Sequence, residues 1–143
     1  MVKVFKKILL AYDGSEYANK AYEYVLELAQ KSDCEVYLLS VAHIPEFIDT
    51  KDEIDGALNS AKAYYTKILG NARKLAKEKG IEVYTNIVPG HPADAIIQFA
   101  EKNKCDLIVV GERGNSGVKR YIIGNVAESI VKHAKCSVLV VKR

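Results

Sequence analysis

Apolar residues along the chain fall into two kinds of spacing. KKILLAYD (6–13), EVYLLSVA (35–42), CDLIVVG (105–111) and SVLVVKR (137–143) are short, nearly uninterrupted apolar runs. Runs of this kind are expected of strands covered on both faces of a sheet. IEVYTNIV (81–88) alternates instead, which predicts a strand nearer a sheet edge. Between the runs the spacing changes to threes and fours. Ala18, Ala21, Tyr22, Val25, Leu28 and Ala29 share one helical face, and Ser15 is placed to cap them. Ile54, Leu58, Ala61, Tyr65, Ile68, Ala72 and Leu75 mark a long helix that Gly80 ends. Ala93, Ile96, Ile97 and Ala100 mark a third helix, with Pro92 at its first position. Val126, Ala127, Ile130, Val131 and Ala134 mark a fourth, for which Asn125 is the expected N-cap.

Strand and helix alternating to the end predict right-handed crossovers and a parallel sheet. The expectation is a single α/β, doubly wound domain over residues 1–143. Its five-stranded parallel sheet would have the order 3-2-1-4-5, with helices on both faces. Ligands bind such sheets beyond the carboxyl ends of the strands, where the winding reverses. Asp13 and Gly111 end the two strands expected to meet there.

Composition narrows the classes. Hydrophobic residues at 49% and charged residues at 27% are ordinary for a folded domain, and the net charge of +3 is weak. The lysines form no basic stripe with interleaved aromatics, so no nucleic-acid partner is expected. The amino-terminal apolar run stops at Asp13, too short for a membrane span or a signal-peptide core. Cys34, Cys105 and Cys136 are isolated, show no metal-ligand spacing and lie beside apolar runs, which predicts buried free thiols. These features together predict a cytoplasmic location with no membrane partner.

The remaining feature is GERGNSGVKRYIIGN (111–125), which holds four of the nine glycines and runs from the fourth strand into the last helix. Backbone N–H groups and a helix N-terminus together make an anion site. Gly111, Gly114 and Gly117 would remove Cβ atoms from the path of a phosphate, and Lys119 and Arg120 could add charge. Read from spacing alone, the loop is either such a cradle or a flexible crossover. It is neither a Walker loop nor the dinucleotide fingerprint that follows a first strand.

Two residues separate Gly111 from Gly114 and nine separate Gly114 from Gly124, which resembles the glycine signature of the universal stress protein family. AESIVKHAKCSVLVVKR is similar to that family's carboxyl-terminal segment, KKILLAYDGSEYANKA to its opening, and VPGHPADAI to the segment before its third helix. The resemblance covers essentially the whole chain. It implies a Rossmann-like domain that binds ATP, or the related ADP or AMP, with Mg as a possible companion. Carried over by position, Asp13 would meet the adenosine part and Val41 the adenine. Gly111, Glu112, Arg113, Gly114, Gly124 and Asn125 would form the rest of the nucleotide site. For Asp13 the plainer alternative is a turn or cap ahead of Ser15, and for Val41 it is core packing.

Two positions depart from the family pattern. Asn125 stands where a serine or threonine is usual, which removes a hydroxyl that could ligate a metal. Glu112 stands where a small hydroxyl residue is common, and its carboxylate is expected to face ribose or solvent. No catalytic set and no protein metal site follow from the residues. His43, His91 and His133 have no ligand spacing with Cys, Asp or Glu. The expectation is a stress-response sensor or switch that binds nucleotide, with at most slow hydrolysis. An interaction protein of the same fold without nucleotide remains the alternative. The last strand (Val138, Leu139, Val140 and Val141) is apolar on both faces, and the resemblance implies a homodimer that pairs it with its twin. Residues 43–53 would form a loop near the site.

Overall fold

Each apolar run picked out by spacing forms a strand, and each three-and-four pattern forms a helix. The structure is a computed structural model that describes residues 4–43, 49–113 and 124–142. In chain order the elements are β1 (Lys7–Ala11), α1 (Glu16–Ser32), β2 (Glu35–Ala42), α2 (Lys51–Glu78), β3 (Val83–Pro89), α3 (Pro92–Lys102), β4 (Leu107–Gly111), α4 (Asn125–His133) and β5 (Ser137–Val141). All strand pairs are parallel, and the sheet order is β3-β2-β1-β4-β5.

Alternation along the inner strands divides the core into two layers, because successive side chains point to opposite faces. Ile8, Leu10, Val36, Leu38, Leu107 and Val109 pack under α1 and α2, against Val25, Leu69 and Ala72. Leu9, Leu39, Ile108 and Val110 pack on the other face against Ile96 and Ala100 of α3 and Ala127 and Ile130 of α4. The connections through α1 and α2 run outward from β1 across one face and the connection through α4 runs outward from β4 across the other, so the winding reverses at the β1–β4 pair.

Helix α1 opens as its sequence predicts, with Ser15 as N-cap accepting from the Ala18 amide at 3.2 Å. α2 differs from expectation. It starts one turn before Ile54, capped by Thr50, so residues 51–53 are helix and not loop. Its buried residues are only Leu69, Ala72 and Ala76, while Leu75 is 40% exposed. Geometry explains this. A helix of 28 residues is roughly 42 Å long at 1.5 Å per residue. The five to eight residues of β1 and β2 reach only about 17–26 Å at about 3.3 Å per residue. The amino-terminal half of α2 therefore overhangs the sheet, and its apolar stripe is half-buried.

Tyr22 lies in the α1–α2 seam, 2% exposed, edge-on to Tyr12, with its hydroxyl donating to the Ala72 carbonyl. Burial, reinforced by Tyr12, pushes its pKa up to about 12. A phenol that holds its proton more tightly folded than unfolded stabilises the fold below its unfolded pKa, about 10, and loses that contribution as pH rises further. The melting temperature should therefore fall steeply between about pH 10 and 12. Tyr22→Phe should flatten that fall, and an unchanged slope would reject the assignment.

The thiols are only partly as expected. Cys105 is buried and its thiol pushed up to about 11, while Cys34 and Cys136 are half-buried. β5 lies at a sheet edge with Val138, Leu139 and Val140 half-exposed. Among the described residues no helix is long and apolar enough to cross a membrane.

Candidate functional site

At the point where the winding reverses, the chain leaves β1 through Tyr12 and Asp13 and leaves β4 at Gly111. The Tyr12 amide donates to the Leu39 carbonyl at 2.8 Å, and the Ser40 hydroxyl donates to the Tyr12 carbonyl at 2.6 Å, fixing this exit against β2. Asp13 Oδ1 then accepts from the Ser15 amide at 2.9 Å. The turn reading of Asp13 is thus correct. A carboxylate has about four acceptor sites, so the turn does not preclude contact with a ligand. Gly14 follows at φ 77°, a left-handed conformation that L side chains rarely adopt.

A cavity of about 730 Å³ opens beyond these strand ends. Asp13, Val41, Gly111, Glu112, Arg113, Gly124 and Asn125 all line it. Seven of the eight residues expected to form one site are therefore brought together. The eighth, Gly114, lies outside the described residues, as do Gly117, Lys119, Arg120 and residues 44–48. One end of the cavity is apolar, with Leu39, Val41, Pro92 and Ile96. The other end is the amino terminus of α4, with Gly124, Asn125 and Val126. The first amides of a helix have no intrahelical partner and carry partial positive charge.

One local finding corrects the sequence reading and two add to it. The N-cap of α4 is Gly124 and not Asn125, which is the first helical residue. Gly124 holds this place because its amide donates to the Glu112 carbonyl at 2.9 Å. A Cβ there would already lie 3.2 Å from that oxygen. Gly111 is needed for helix packing. A Cβ on it would sit 2.8 Å from Cβ of Tyr17 and 3.0 Å from the Tyr17 carbonyl carbon, so its glycine admits α1. Glu112 does not face solvent. Its side chain is 14% exposed, and Oε1 lies 4.0 Å from Nε of the nearly buried Arg113. A cation beside the carboxylate offsets its repulsion toward an anionic ligand.

Further lining residues had no signal in the sequence as part of this cavity. Tyr65 comes from the middle of α2, and His43 follows β2. The His43 ring lies 5.7 Å from that of His91, the residue before α3, which makes no side-chain cap bond. Among the described residues no group of three or more His, Cys, Asp or Glu could hold a metal ion.

The family model of the universal stress protein family matches residues 5–142. A universal stress protein of Methanocaldococcus jannaschii is 37% identical over 142 residues, covering 98% of this chain and 84% of that protein. Among solved structures, the universal stress protein UspA of Lactobacillus plantarum superposes with a TM-score of 0.89 at 23% identity, covering 99% of both chains. A universal stress protein family member of Arabidopsis thaliana, solved with AMP bound, has a TM-score of 0.71 at 26% identity, covering 96% of this chain and 92% of that one. Two others with the same fold, both 24% identical, are complexes with cAMP and, from Archaeoglobus fulgidus, with dAMP.

Proposed function

Because the chain belongs to the universal stress protein family, we propose that its cavity binds an adenine nucleotide and that the bound state acts as a switch in the stress response. The observation that carries this reading is the polarity of the 730 Å³ cavity, apolar at the Leu39–Val41 end and electropositive at the start of α4. A flat apolar base suits the first end, and phosphates suit the second. Asp13, between them, repels phosphate and accepts hydrogen bonds, so it suits the sugar. AMP, dAMP and cAMP in related structures support an adenine nucleotide. The nucleotide is ATP or the related ADP or AMP, and ATP is the one tested first. A Mg ion accompanying it would be held mainly by phosphates and water. Glu112 is paired with Arg113, and residue 125 offers an amide in place of a hydroxyl.

The test is to denature the purified protein and assay released adenine nucleotide, then to titrate ATP while following the melting temperature. A ligand at about 100 times its dissociation constant stabilises by about 2.7 kcal/mol. For a chain of this size that is a rise of roughly 5–10 °C. No released nucleotide and no shift at millimolar ATP would replace this reading with an interaction protein of the same fold.

The exposed apolar edge at β5 supports a homodimer in which two copies pair along that strand, since an uncovered edge invites pairing. Val140→Asp, checked for folding by circular dichroism, should shift the mass measured by light scattering to that of a monomer. A dimer that persists would count against this interface.

A further inference from the structure

Besides Asp13 and the strand ends, the cavity has a wall contributed by α2. That helix packs directly on the Asp13–Gly14–Ser15 turn. A Cβ built on Gly14 would lie 3.1 Å from Ile68 Cδ1 and 3.6 Å from the Tyr64 hydroxyl. Tyr65, between those two residues in sequence, is carried to the cavity side, where it and Asp13 line the same space. Its ring is half-buried and braced edge-on against Tyr64, with centroids 5.2 Å apart at 68°. The other cavity tyrosine, Tyr12, has its hydroxyl committed to Asn19.

Resting on the nucleotide reading above, we propose that Tyr65 is a ribose-positioning residue, its phenol donating to a sugar hydroxyl that in turn donates to Asp13. A sugar hydroxyl both donates and accepts, so it can bridge a phenol O–H and a carboxylate. The phosphates are directed away from this wall, toward α4, because the Asp13 charge opposes them. Burial, with the Asp13 charge beside it, raises the phenol's pKa above its ordinary value. Tyr65 is therefore a protonated donor at physiological pH.

The test measures affinities of the full chain and of Tyr65→Phe for ATP, 2′-deoxyATP and 3′-deoxyATP. Phenylalanine keeps the ring against Tyr64 and removes only the hydroxyl. ATP binding should weaken about 3- to 10-fold, the range for one neutral hydrogen bond. That loss should vanish for the one analogue lacking the contacted hydroxyl, for which wild type and variant should bind alike. An equal loss for all three ligands would reduce Tyr65 to a structural wall, and no loss for any would remove it from the site. Either result overturns the proposal while leaving the nucleotide reading intact. Wild-type protein that binds none of the three would reject both.

Discussion

Gly111→Ala should lower the melting temperature by roughly 2–12 °C. The new Cβ would lie 2.8–3.1 Å from three atoms of Tyr17, two of them backbone. Backbone cannot rotate aside as a side-chain tip can, so α1 and the end of β4 must separate. Overpacking of this kind costs about 1–3 kcal/mol, and a domain of this size loses roughly 2–4 °C per kcal/mol. Gly70→Ala makes an informative control. Gly70 lies inside α2, and nothing lies within 4 Å of its added Cβ. That change should stabilise by about 0.5–1 kcal/mol, because alanine loses less backbone entropy on folding. Thermal melts of the two variants should move in opposite directions. A Gly111→Ala melt within a degree of wild type would mean that α1 does not bear on this glycine.

The second large effect is on binding. Asp13→Ala should weaken ATP at least 10-fold, since hydrogen bonds to a charged group contribute about 1.5–3 kcal/mol. The same change removes the acceptor of the Ser15 amide, so it also costs about 0.5–1.5 kcal/mol of stability. Asp13→Asn separates the two roles. An asparagine Oδ1 can still accept from the Ser15 amide, so its melting temperature should stay near wild type. Without the charge, its affinity for ATP should still fall. Calorimetric titration beside a melt reads both quantities. If Asp13→Asn binds ATP as wild type does, Asp13 is a turn residue and no more.

How much of this was legible in the sequence varies with the range of the interaction. β2 and the start of α3 were predicted to the residue, because a saturated run and a proline act within a few positions. The parallel sheet and the meeting of Asp13 and Gly111 followed from alternation and winding, which are rules about the whole chain, whereas Val41 and Gly124 were placed beside them only by the family resemblance. Contacts that depend on where a distant helix lands were not legible. Tyr17 is far from Gly111 in sequence, so nothing near that glycine indicates that α1 rests on it. Tyr65 reads from its spacing as one more core position. It packs against the core as that spacing implies, and it also lines the cavity. Asn125 is the stronger capping residue of its pair, but tertiary closure against Glu112 decides the cap in favour of Gly124.

That closure has a consequence for how the chain can vary. Glu112 donates its amide to the Val141 carbonyl at 2.9 Å, and its carbonyl accepts from Gly124 at 2.9 Å. The backbone therefore departs from the sheet and returns to it at a single anchored point. Whatever length of chain is tethered between Arg113 and Gly124, the anchor stays the same. Doubling such a tether costs only about 0.6 kcal/mol of closure entropy. A change of length or sequence in residues 114–123 therefore need not disturb the register of β4 and β5, which the Glu112 and Val141 backbone bond fixes.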